Sequence, residues 1–181
     1  MINMDKTRGT EAVRITKSSH SGGAKEVHGI RPIWKIEKRR KGEKDPYEVL
    51  EYKGNVFLNS GINRIWEMVA GENETPFDET NAEIGVGDGD AVEDPTHTEL
   101  QGASQEYANM VTGYPTHGAD QKIVFRAEFG DNDANFTWNE ITVRNGGDGE
   151  ASPINLNRLV QSMGTKVQDT EWIAELTLKI E

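Results

Sequence analysis

Glu171–Ile180, EWIAELTLKI, decides the fold: Trp172, Ala174, Leu176, Leu178 and Ile180 fall on one side of an alternating chain, and Glu171, Ile173, Glu175, Thr177 and Lys179 on the other. A period of two sends successive side chains to opposite faces, the mark of a strand with one face on a core. Working outward, Ile123–Phe129 repeats the device, with Ile123, Phe125, Ala127 and Phe129 opposite Val124, Arg126 and Glu128. Phe136, Trp138 and Glu140 stand opposite Thr137, Asn139, Ile141 and Val143, so a strand partly covered on both faces is expected there. Arg31–Lys38 and Tyr47–Lys53 flank the turn-like KGEKDP of Lys41–Pro46 and read as a hairpin. A short strand is expected at Glu83–Gly87, and Gln101–Val111 fits either a helical turn or an irregular strand.

One helix is expected, Asn59–Gly71. Ile62, Ile65, Trp66 and Val69 recur at i, i+3, i+4 and i+7, Asn59 or Ser60 can cap the first turn, and Gly71 can end it. Its apolar stripe reads as one buried face, covering an open end or a face of the sheets. Short strands separated by Gly/Asp turns, one helix and a terminal strand define a mainly β chain. The expected architecture is an antiparallel β-sandwich, jelly-roll-like, over residues 30–181 with one short helix, preceded by an extended basic arm over residues 1–29. No repeat of solenoid or propeller length is visible.

The length of 181 residues suits one domain, and a hydrophobic fraction of 34% with 19 glycines suits a thin sandwich with long loops, or a subunit that buries further surface on its neighbours. Mean hydropathy is −0.71. Without cysteine, neither disulfides nor thiolate metal sites contribute. No apolar run of signal-peptide or membrane-spanning length occurs, so a soluble protein made in the cytosol is expected. Charge is uneven: residues 1–44 hold 12 Lys+Arg against 5 Asp+Glu, a net of +7, and the remainder carries −18. Such asymmetry suits an arm lying on an acidic surface, with attraction that weakens as salt rises, and a solvated flexible tail is the other reading for residues 1–28.

The motifs that promise chemistry mostly fail on spacing. Gly85-Val-Gly-Asp-Gly-Asp90 lacks the third glycine of a dinucleotide fingerprint, and Asp88 and Asp90 would repel a pyrophosphate; glycines supplying positive φ in a tight turn explain it better. Asp131–Asn135 opens like a calcium-binding loop, but Phe136 stands where glycine belongs and Thr142 where a bidentate Glu belongs, so a sharp hairpin turn is expected. Asp88, Asp90, Glu93 and Asp94 read as a hydrated acidic loop. His20, His28, His97 and His117 form no metal-binding pair, and no nucleophile elbow is present. Glu140 beside Trp138 is a carboxylate in an apolar setting of the kind used for acid/base work, yet a glycosidase needs a second carboxylate. No cofactor is expected. Lys38, Arg39, Arg40 and Lys41, with Trp34 nearby, form the candidate partner-binding cluster; an acidic body makes a protein surface a better match for it than nucleic acid.

The IGVGDG turn closing on Thr98-Glu99-Leu100, the Trp138-Asn139-Glu140 strand and a closing hairpin with Asn157-Arg158, Gly164-Thr165-Lys166 and Trp172 together resemble a family of tailed-bacteriophage virion structural proteins, over about residues 55 to 181. The resemblance implies a capsid-decoration or tail-associated protein of the virion that assembles with copies of itself and other virion proteins and performs no catalysis. The alternative is a receptor- or glycan-binding module of a tail tip, with Trp138, Tyr107 or Tyr114 in exposed loops stacking on sugars. A hydrolase using Glu140 is the third reading.

Overall fold

The alternating segments pair as their patterns require. The computed structural model describes residues 29–72, 74–146 and 152–181 of the chain. One antiparallel sheet has the order β2 (Glu48–Lys53), β1 (Ile30–Arg40), β11 (Thr170–Ile180), β7 (Lys122–Phe129), β6 (Thr116–His117). The other runs β3 (Val56–Phe57), β10 (Asn157–Thr165), β8 (Thr137–Asn145), β4 (Ala82–Gly87), β5 (Gln105–Asn109), with β9 (Ile154–Asn155) also on β8. The helix α1 spans Asn59–Ala70. The described residues are therefore mainly β, two antiparallel sheets with one helix, and the Arg31–Lys38/Tyr47–Lys53 hairpin is β1 on β2, with Ile36 opposite Leu50. Within Gln101–Val111, Gln105–Asn109 is the edge strand β5, whose Tyr107 pairs Gly85, and residues 101–104 belong to the loop before it.

Between the sheets lie the apolar faces read from the sequence. Trp34 and Ile36 of β1, Phe125, Ala127 and Phe129 of β7, and Trp172, Ala174 and Leu176 of β11 meet Ile84, Val86, Trp138, Ile141, Val143 and Leu159 of the opposite sheet. Trp138 is held edge-on between Phe129 and Trp172, each ring centroid 4.8 Å away, the arrangement that aromatic quadrupoles favour.

Several sequence expectations change. Gly71 does end α1, at φ +84, but the residue before the helix is Leu58, and neither Asn59 nor Ser60 caps it: Leu58 is fully buried and its amide donates to the Leu156 carbonyl. Ile62 and Ile65 pack on the core, whereas Trp66 is 58% and Val69 72% exposed, because the helix leans on β9 with Gly61 against Leu156 and leaves that flank to solvent. Asp131–Asn135 is no hairpin turn, and the stretch from Arg158 to Trp172 is no hairpin. β7 and β8, like β10 and β11, belong to opposite sheets, so each connection is an arch across the core. The two arches bind each other through Lys166, whose amide donates to the Phe136 carbonyl and whose ammonium donates to the Gly130 carbonyl and, at 3.1 Å, to Asn135 Oδ1.

Of the expected arm, residues 1–28 lie outside the described residues, while Gly29 is already paired in both directions with Glu181. The basic region also divides. Seven of the twelve basic residues in the first 44 belong to residues 30–44, inside β1 and the turn after it, which leaves residues 1–28 with 5 bases, 3 acids and a net of +2.

Candidate functional site

Ile84 and Val86 point into the core, so Gly85 and Gly87 of β4 face the other side of their sheet, together with Glu140 and Thr142 of β8 and Arg158 of β10. The loop 88–104 lies across this outer face and seals a polar layer. Glu140 and Arg158, both with 0% side-chain exposure, form an ion pair at 2.6 Å. The carboxylate is otherwise spent on the loop: Oε1 accepts from the amides of Gln101 at 2.9 Å and Gly102 at 2.7 Å. Arg158 donates to the Ala91 carbonyl at 3.0 Å and faces His97 Nδ1 at 3.3 Å, where the imidazole nitrogen must accept because a guanidinium only donates. Further along, the Val160 amide donates to Glu93, Asn155 Nδ2 to the Thr98 carbonyl, and Asn139 Nδ2 to the Asp88 carbonyl. Hydrogen bonds from Ser104 hold the Asp88 carboxyl below its ordinary range.

The glycines serve this carboxylate. Gly85, Gly87 and Gly89 are not among the described glycines with positive φ, contrary to the sequence expectation. Space is what they supply: a Cβ on Gly87 would stand 2.5 Å from Glu140 Oε1, and one on Gly89 would stand 2.5 Å from the Gly102 amide nitrogen and 2.6 Å from that same oxygen. Gly89→Ala is therefore an overpacking change against backbone, expected to lower unfolding free energy by about 1–3 kcal/mol in a denaturant titration. An unchanged midpoint would show that the loop is not pressed on Glu140.

Beside the carboxylate, the Tyr107 ring lies over Gly85, and Arg144 stacks on that ring 3.4 Å from its centroid while pairing with Glu83 at 2.6 Å. Burial pushes the Tyr107 phenol up to about 12. A raised folded value means that the neutral phenol is favoured by the fold, so this stabilisation is whole below about pH 10 and is lost as pH rises through about 12. Phenolate absorbance should show a step near pH 12, and Tyr107→Phe should abolish it. Burial raises Tyr52 as well.

The basic cluster does not stay together. Trp34 is fully buried between the sheets. Strand alternation turns Lys38 inward, to Glu48 at 2.6 Å and over Trp172 at 4.3 Å, while Arg39 turns outward to Glu37. Arg40 lies 3.8 Å from Glu43 and Lys41 2.6 Å from Asp131. Of the five residues, Arg39, Arg40 and Lys41 reach the surface, each beside a carboxylate. The aromatic candidates are likewise spent: Trp138 is fully buried, Tyr107 is capped by Arg144, and Tyr114 packs on the core. The Asp131–Asn135 turn does receive a cation, supplied by Lys166, whose ammonium burial pushes down. Asp94 accepts from Thr96, and among the described residues no group of three or more His, Asp and Glu is placed to hold a metal ion. No helix among them is long and apolar enough to cross a membrane.

Sequence reasoning singled out Glu140 but missed Arg158, His97, Gln101 and Gly102. One signal was present: Arg158 sits in a stretch of apolar character, and Glu140 in another, so two lone opposite charges could be matched. The loop partners carry no such mark, being backbone amides. No family model matches the chain, and neither a curated protein nor a solved structure matches it.

Proposed function

We propose that this chain is a non-enzymatic structural component of a tailed-phage virion, a capsid-decoration or tail-associated subunit that assembles with copies of itself and with other virion proteins. One observation carries the reading: the segments that bear the family resemblance meet in space as a single interlock. Gly87 and Gly89 of the IGVGDG turn make room for Glu140 of the W-N-E strand, Glu140 binds Arg158 of the N-R pair, and Leu100, closing the T-x-L segment, is buried. The ion pair and its contacts with Ala91, Gln101 and Gly102 fasten the loop to the strands, which is the work of a shape-determining module. As a hydrolytic residue Glu140 would need access to a substrate, and its carboxylate is fully buried and ion-paired.

Protein mass spectrometry of purified tailed-phage particles whose genome encodes the chain tests the proposal. Hundreds of copies per particle support a shell position and a handful support the tail; absence from the particle overturns the reading.

A further inference from the structure

The two ends of the sandwich differ. The arches and Lys166 close one end, and at the other Ile30, Phe57, Ile65, Ile123, Leu178 and Ile180 line a groove of about 310 Å³. Ile180 is 56% exposed there. Small-molecule sites begin at about 300 Å³ and present converging polar groups. Among the described residues that line it, Gln121 and Lys122 are the only long polar side chains, so it suits a few aliphatic side chains.

The position at which the chain enters β1 bears on the source of those side chains. Ile30 lines the groove and is also the first residue of β1, with Gly29 fastened to Glu181 at 2.7 Å, so the preceding 28 residues start from the rim. Within them, Val13 and Ile15 are branched aliphatic residues at i and i+2, the spacing that would put both on one face of an extended segment, and Ser18–Ala24, SSHSGGA, has the composition of a flexible linker. The residues between Ile15 and Gly29 span up to about 45 Å when extended, ample to turn back over the end of a domain.

We propose that Ala12–Thr16 docks in this groove of its own chain, with Val13 and Ile15 seated against Ile30, Ile65, Ile123 and Ile180. A tether of this length supplies an effective concentration on the order of millimolar, which favours the same chain over a second copy in dilute solution. Charge acts in the same direction: residues 1–28 carry +2 and the rest of the chain −13, so the segment is drawn to the body while two bodies repel. This inference stands whether or not the chain belongs to a virion.

Limited trypsin digestion of the full chain at micromolar concentration tests it. Cleavage after Arg14 and Lys17 is expected to be about tenfold slower in the unchanged protein than in Ile180→Asp, with cleavage after Lys6 and Arg8 alike in both. Ile180 is half exposed near the chain end, so the body should tolerate the change. Val13→Asp, which leaves the described body untouched, should release Lys17 to the same extent. Equal rates in all three proteins would overturn the docking. Protection that grows with protein concentration would overturn the same-chain assignment and give the seat to a second copy.

Discussion

Glu140→Gln is expected to cost about 3–5 kcal/mol of folding stability, because removing one partner leaves the other buried charge uncompensated. Arg158 would keep its positive charge with no solvent and no counter-ion, and the Gln101 and Gly102 amides would lose a carboxylate acceptor. For a domain of this size the loss corresponds to a fall in Tm of roughly 10 °C. Removing both charges gives the informative comparison. Glu140→Leu together with Arg158→Met buries no unpaired charge, so the double variant should be less destabilised than the sum of its singles, and calorimetry on the four proteins reads the coupling. Strict additivity would mean that the pair is not the unit described.

Trp138→Ala is the second large effect, about 3–5 kcal/mol, since it empties the centre of the core. Phe129 and Trp172 lose their edge-on partner on both sides, and the Trp138 indole nitrogen no longer donates to the Ala134 carbonyl at 2.9 Å. Trp138→Phe keeps the ring stack but drops that hydrogen bond, so it should fall between the two in urea midpoint. A Trp138→Ala protein as stable as the original would place the centre of the core elsewhere.

How much of this was legible depends on which physical rule each residue obeys. β7 and β11 were legible because their apolar residues keep a strict period of two against a single core face. β10 was not. Asn157, Arg158 and Leu159 are buried in succession, on both sides of a sheet covered by the core and by the loop 88–104, and a register shift between Val160 and Gly164 then resets the alternation. Arches and hairpins share the same turn residues, so the sequence around Asp131 and Lys166 signalled a reversal without saying whether the next strand stays in the same sheet. The basic cluster misled for a related reason: adjacency along a strand is separation in space, which took Lys38 to Trp172 and Arg39 to Glu37. Gly87 and Gly89 were recognised as structural, but the cause was the close approach of Glu140, a contact more than fifty residues away in the chain, instead of a backbone angle.

Native-state hydrogen exchange at the Gln101 and Gly102 amides tests the interlock most directly. Both donate to a fully buried carboxylate under a loop fastened at Ala91, Thr98 and Ser104. They should exchange as slowly as the ladder amides of β4 and β8, and accelerate sharply in Glu140→Gln. Exchange of these two amides at the rate of an open surface loop in the unchanged protein would contradict the buried Glu140–Arg158 clamp and the shape-determining role built on it.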